Sequence, residues 1–217
     1  MDKYSHLKSK YKNLFIDLDG TVLNSFTGIK NGIDYMLKKT NSSYIVEDYN
    51  EFIGPPISES FLRIYKEDEL ENAIKLYRDY YFSKGIFECE LYDGIKEVLN
   101  NLKNVGYMLY VCTTKEISSA KTVLKNHGIF GCFKDIFATV EPTLREKEDI
   151  MADGIRRYNL KAEEILMIGD TKYDVRAAHF CGVDVMLCTY GFDDYSRSFG
   201  DVVAYASSPY EISQILQ

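Results

Sequence analysis

The sequence predicts an α/β fold, a mostly parallel sheet interrupted after its first strand by a block of helices. Two observations carry this. Short apolar runs alternate with amphipathic helical stretches along most of the chain, the rhythm of strand–helix–strand units. Between Ser25 and Leu91 that rhythm stops and only helical patterns remain. With 217 residues, 46% hydrophobic and 27% charged, the chain has room for one core domain carrying a smaller insert.

The first apolar run is Leu14-Phe15-Ile16. In the insert, Leu70, Ala73, Ile74, Tyr77 and Tyr81 recur at helical spacing and predict a helix. Gly54-Pro55-Pro56 punctuates its middle, since neither a helix nor a strand runs through such a sequence. About 65 helical residues are too many for a loop, so residues 25–91 are predicted as a helical domain inside a core of residues 1–24 and 92–217.

Beyond the insert, Ile95, Val98, Leu99, Leu102 and Val105 share a helical face before the second run, Tyr107 to Cys112. Ile117, Ala120, Val123, Leu124 and His127 share the next face, followed by a weaker third run, Ile136-Phe137-Ala138. A face of Ile150, Met151, Ile155 and Tyr158 precedes the fourth run, Ile165 to Ile168, and Val183 to Cys188 forms the fifth. Runs of this kind, bounded by Gly, Asp or Thr, suit strands buried on both faces.

Composition excludes several functions. The net charge of −7 argues against a broad nucleic-acid-binding face. No apolar run approaches the ~20 residues of a membrane span, and Met1 to Asn13 lacks the apolar stretch of a secretory signal. The cysteines, Cys89, Cys112, Cys132, Cys181 and Cys188, are odd in number and form no CxxC. They read as reduced thiols and predict a cytoplasmic location. His6, His127 and His179 lack the spacing of a zinc site and read as structural. The aromatic load of 18 Tyr and 12 Phe reads as core rather than a base-stacking platform.

The apolar runs end in polar residues that a parallel sheet brings to one edge, where ligands bind. The first run ends in Asp17-Leu18-Asp19-Gly20-Thr21, the second in Thr113-Thr114-Lys115, and the fourth in Gly169-Asp170-Thr171-Lys172-Tyr173-Asp174. Lys147 opens the helix after the third. An extended chain would point Asp17 and Asp19 the same way. With Asp170 added, the acids are costly without a cation. Mg²⁺, which favours a few carboxylates plus waters and substrate phosphate, answers that cost. If a helix starts at Thr113, its N-terminus would bind an anion, and Lys147 adds positive charge. This pattern predicts a phosphoryl-transfer site.

Asp17-Leu18-Asp19-Gly20-Thr21-Val22-Leu23-Asn24-Ser25 resembles the first motif of the haloacid dehalogenase superfamily of hydrolases. Val111 to Lys115 resembles its second motif, and Ile168 through Asp174 its fourth. Phe52-Ile53-Gly54-Pro55-Pro56 resembles the helical cap of the phosphoglycolate-phosphatase-like branch, and Tyr190-Gly191-Phe192 its C-terminal loop. The resemblance covers nearly the whole chain and implies a Rossmann-like three-layer core with a helical cap. It implies a Mg²⁺-dependent phosphatase acting on a small phosphorylated metabolite, like phosphoglycolate phosphatases or 5'-nucleotidases. Asp17 would be the nucleophile, Asp19 the proton donor and then base, Thr113 the phosphoryl holder and Lys147 the charge balance. Asp17, Asp19 and Asp170 would hold Mg²⁺. Asp174, Thr114 and Gly20 would support them, and Gly54, Pro55 and Pro56 would form a cap specificity loop. The chain departs from the branch in Asn24, where Asp is commoner, and in lacking a Lys-Pro-x-Pro run near the third motif.

Plainer readings attach to the same residues. Asp19-Gly20 is an ordinary turn dipeptide, and Thr113-Thr114-Lys115-Glu116 fits a capping box. Lys147 could be a solvated helix charge, with Lys134 and Lys161 as rivals, and Asp174 could pair with Arg176 or cap its helix. A phosphosugar mutase shares the chemistry but usually carries a Gly-x-x-Arg-x-Asp cap motif, where this chain has Gly54-Pro55-Pro56-Ile57-Ser58-Glu59. A non-catalytic phosphometabolite sensor would not turn over p-nitrophenyl phosphate.

Overall fold

The computed structural model describes residues 4–55, 57–140, 145–193 and 200–217. The chain begins with α1 (Ser5–Lys10) and β1 (Asn13–Ile16), then a two-residue strand β2 (Leu23–Asn24). Helices α2 (Phe26–Lys39), α3 (Ile57–Phe61) and α4 (Glu67–Ser83) follow, and β3 (Glu90–Leu91) closes this block by pairing antiparallel with β2. The remainder alternates as α5 (Ile95–Asn104), β4 (Met108–Glu116), α6 (Ile117–Asn126), β5 (Asp135–Thr139), α7 (Lys147–Tyr158), β6 (Ile165–Gly169) and α8 (Lys172–Phe180). It ends in β7 (Asp184–Cys188), β8 (Ala204–Ala206) and α9 (Pro209–Leu216).

Six strands form one sheet in the order β5-β4-β1-β6-β7-β8, and every pair in it is parallel. All five apolar runs of the sequence are strands. The sixth, β8, is Ala-Tyr-Ala, too short and too weakly apolar to announce itself, and the β2–β3 pair crosses a boundary the sequence pattern predicts as strand-free.

Alternation along the strands divides the core into two layers. Leu14, Ile16, Leu109, Val111, Leu166 and Ile168 face one side, packed with residues of α1, α5, α6 and α9. Phe15, Tyr110, Phe137 and Met167 face the other, packed with α7 and α8. The rings of Phe15, Tyr110 and Phe137 meet at 5.1–5.4 Å. Truncating a buried ring of this kind to Ala costs about 3–5 kcal/mol. In the helical block, Ile29, Ile33 and Met36 of α2 share a cluster with Ala73, Tyr77 and Tyr81 of α4. Leu70 and Ile74 of the predicted stripe are only partly buried there.

β1 is the pivot for function. Its neighbours are β4 on one side and β6 on the other, so the strand order reverses around it and leaves a crevice at its carboxyl end. Ile16 lies opposite both Val111 and Ile168. The polar residues that follow these three positions therefore leave the sheet at one level.

Candidate active site

Asp17 continues the sheet one residue past β1, its N–H donating to the Ile168 carbonyl at 2.9 Å. The chain then folds sharply, because the Leu18 carbonyl accepts from the N–H groups of Thr21, Val22 and Leu23. Gly20 makes the turn at φ +95°, and a Cβ there would lie 2.0 Å from Asp170 Oδ2. Only glycine meets both demands. Asp17 and Asp19 both border the cavity above the turn, as the two-residue spacing predicts, and each has its own lysine partner, Lys147 for Asp17 and Lys115 for Asp19.

The floor of the crevice is a charge cluster. Lys147, the first residue of α7 and 4% exposed, places Nζ 2.7 Å from Asp17 Oδ1 and 2.5 Å from Asp174 Oδ1. It is not a solvated helix charge; of its rivals, Lys134 lies over the Tyr158 ring and Lys161 is exposed. The second oxygen of Asp174 caps α8, accepting from Asp170 N–H at 3.2 Å, Thr171 N–H at 2.9 Å and the Thr171 hydroxyl at 2.8 Å. Arg176 pairs instead with Glu146 and Glu148. Asp170 accepts from the Thr21 hydroxyl at 3.0 Å and from Phe192 N–H at 2.9 Å, so the Tyr190–Phe192 loop closes over it. Tyr190 fastens that loop by donating to the Thr21 carbonyl at 2.7 Å.

Burial sets the electrostatics. It pushes the Asp17 carboxyl up to about 7, with Lys147 opposing and Asp174 and Asp19 adding to the rise. Asp170 is driven well above the usual carboxylate range by burial and then by Asp174 and Asp17. Burial works against the Lys147 ammonium as well, but Asp17 and Asp174 overcome it and raise its pKa. One ammonium cannot neutralise three carboxylates. Oxygens of Asp17, Asp170 and Asp174 lie within 4.8 Å of one another, a hard, oxygen-only donor set of the kind Mg²⁺ takes. The residues thus fit a divalent cation. The carboxylate trio contains Asp174 where the sequence reading has Asp19, whose Oδ2 pairs with Lys115.

β4 supplies the adjoining wall. The sequence reading starts a helix at Thr113, but β4 runs on to Glu116, which lies opposite Thr139 of β5 beyond an irregularity that follows Cys112. The capping box is replaced by Glu116 itself, whose carboxylate accepts from Ser118 and Ser119 N–H at 2.9 Å each. Thr113 is a buried strand residue whose hydroxyl accepts from Lys115 N–H at 3.2 Å. Thr114 donates to the Gly54 carbonyl at 3.3 Å and so touches the helical block. Gly54, at φ +105°, would set a Cβ 3.2 Å from Tyr173, so this turn lies directly against the core. Pro55 borders the same cavity as Asp17, while Pro56 lies outside the described residues.

Two residues of the site have no role in the sequence reading. Lys115, 7% exposed, pairs with Asp19 Oδ2 at 2.8 Å and donates to the Tyr81 hydroxyl at 2.6 Å. Its signal is its place in the polar residues that end the second apolar run. Tyr81 is visible in the helical stripe, but a stripe does not say which of its members reaches a neighbouring domain. The cavity between floor and helical block has a volume of about 140 Å³.

Comparison with known proteins agrees with this architecture. Residues 14–188 match the model of the haloacid dehalogenase-like hydrolases, and the chain belongs to that family. A 5'-nucleotidase of Pseudomonas aeruginosa is 31% identical over 187 residues, 84% of this chain and 85% of its own. A phosphoglycolate phosphatase of Vibrio parahaemolyticus is 28% identical, over 89% of this chain and 91% of its own. The crystal structure of a predicted phosphatase from Clostridium acetobutylicum superposes with a TM-score of 0.88 at 34% identity, covering 95% of this chain and 98% of that one. Within its family the chain is an enzyme, a phosphatase of phosphoric monoesters.

Proposed function

We propose that the chain is a Mg²⁺-dependent phosphatase that hydrolyses a small phosphomonoester through an aspartyl-phosphate on Asp17. The observation that carries this is the position of Asp17. It sits at the carboxyl end of the pivot strand, 2.7 Å from a buried lysine and within one cluster with Asp170 and Asp174. In the first step an Asp17 oxygen bonds to phosphorus as the ester P–O bond breaks, and Asp19 gives a proton to the leaving oxygen. In the second, water bonds to phosphorus, Asp19 takes its proton, and the Asp17–phosphorus bond breaks to release phosphate. Thr113 and Lys147 hold the phosphoryl oxygens. Asp17, Asp170 and Asp174 would hold Mg²⁺, which would supply positive charge against the phosphate.

Residues 25–91 act as the cap domain in this reading, entering and leaving the core beside the β2–β3 pair. The 5'-nucleotidase and phosphoglycolate phosphatase relatives support a small phosphorylated metabolite as substrate. The test is a screen of nucleoside monophosphates, sugar phosphates and small phospho-acids with Mg²⁺, with Ca²⁺ and in excess chelator. Hydrolysis with Mg²⁺, inhibition by Ca²⁺ and silence in chelator are expected. Full activity in chelator contradicts the metal assignment, and no hydrolysis of any ester contradicts the activity.

A further inference from the structure

The Lys115 ammonium touches two parts of the molecule that are far apart in sequence. It pairs with Asp19 Oδ2 at 2.8 Å, on the turn after β1, and donates to the Tyr81 hydroxyl at 2.6 Å, on α4 of the helical block. Its nitrogen also lies 5.0 Å from the centre of the Tyr81 ring. Both ends of this bridge are held by packing. Tyr81 stacks on Tyr77 with ring centres 5.5 Å apart and planes 11° from parallel, and Lys115 is fixed by strand β4. All three residues of the bridge border the cavity that holds Asp17. Asp19 Oδ1, by contrast, is buried and has no hydrogen-bond partner among the described residues. One oxygen is thus tied down, and the other has no partner among the described residues.

We infer that Lys115 is a positioning residue for Asp19, and that Tyr81 ties this positioning to the closed placement of the helical block. The inference rests on the reading of Asp19 as proton donor. With α4 seated, the shared ammonium holds Oδ2 and leaves Oδ1 as the oxygen that exchanges a proton with the leaving group. When α4 lifts, the Tyr81 contact breaks, and the ammonium rides only on its flexible four-carbon stem. Asp19 then loses its fixed aim. Proton donation is thereby confined to the closed state, in which water is excluded.

The experiment compares Lys115→Met, Tyr81→Phe and the double variant on p-nitrophenyl phosphate and on an alkyl phosphate, whose leaving group needs a proton far more. Lys115→Met should lower kcat for the alkyl ester about 100-fold and for p-nitrophenyl phosphate about threefold or less, with KM nearly unchanged. Tyr81→Phe, which keeps the ring and removes one oxygen, should show the same selectivity at about tenfold. The double variant should match Lys115→Met alone, because both changes act through one ammonium. Equal losses on both esters, a loss carried by KM, or additive losses would overturn the inference. Amide hydrogen exchange of α4 supplies a readout independent of turnover. Faster exchange around Tyr81 in both single variants is expected, and unchanged exchange overturns the tie to α4 even if the chain hydrolyses no ester. If Lys115→Met fails to fold, Tyr81→Phe alone decides, by its selectivity between the two esters, its KM and the exchange of α4.

Discussion

The floor of the cavity is made of Asp17 and Lys147, with Asp170 and Asp174 buried beneath them, held by the pivot strand, the turn after β6 and the first turns of α8 and α7. The wall across from it is made of Phe52, Pro55, Tyr77 and Tyr81 from the helical block. The floor is crowded with charge: Asp17 and Asp174 share one ammonium, Asp170 lies in the same cluster, and burial raises the pKa of Asp17 and Asp170. The wall is aromatic, and it meets the charged side chiefly through Lys115 and through the Thr114–Gly54 contact. In the proposed reading the floor would bind a metal and a phosphate whatever the leaving group is, and the wall would touch the part of a substrate that differs from one phosphomonoester to another. Chemistry and selectivity would then fall on different segments of the chain.

The comparison breaks most sharply at Asp17. Asp17→Asn should lower turnover by at least about 10⁴-fold for every ester, because an amide cannot serve as the nucleophile. Circular dichroism should show the fold intact. Residual activity above about one per cent would place the nucleophile elsewhere.

The next effect belongs to the floor alone. The folded-state pKa of Asp17 is raised from 3.8 to about 7. A raised pKa means that its contribution to stability is fully present below 3.8 and is lost as pH rises through about 7. Mg²⁺ binds the ionised carboxylates and should offset that loss. Saturating Mg²⁺ should therefore raise Tm by about 5–10 °C at pH 8 and by under about 2 °C at pH 5. Differential scanning fluorimetry checks this. Equal shifts at both pH values would remove Asp17 from the metal site.

The smallest effect belongs to the wall. Pro55→Ala should lower kcat/KM for the best natural substrate about tenfold while leaving p-nitrophenyl phosphate within about twofold, since only leaving-group contacts suffer. A parallel fall on both, with the fold preserved, would show that the turn supports the floor and has no part in selectivity.

The same division governs what the sequence discloses. β1, β4, β6 and β7 are legible because strands buried on both faces need unbroken apolar runs, and the acids and lysine at their ends follow from the parallel topology. Lys147 is legible for the same reason, as the first residue of a helix that must begin at the sheet edge. Local patterns mislead where tertiary pairing overrides them. Thr113 to Glu116 fits a capping box, yet β4 runs on to Glu116, which pairs with Thr139 of β5, and the helix starts only at Ile117. Asp17 and Asp19, two apart, border one cavity as that spacing predicts, but the spacing does not say which lysine each one meets. The wall is least legible. Tyr77 and Tyr81 share a helical stripe with Ala73, and the direction each faces depends on how α4 sits against α2 and the core.

The central claim is that Asp17 carries the phosphoryl group between the two chemical steps. The most direct measurement is an acid quench during turnover of an ester labelled in its phosphate, followed by peptide mapping. The account predicts label on the peptide containing Asp17, released by hydroxylamine as an acyl phosphate is, and absent from Asp17→Asn. Turnover with no label on that peptide, or with label on another residue, would contradict it.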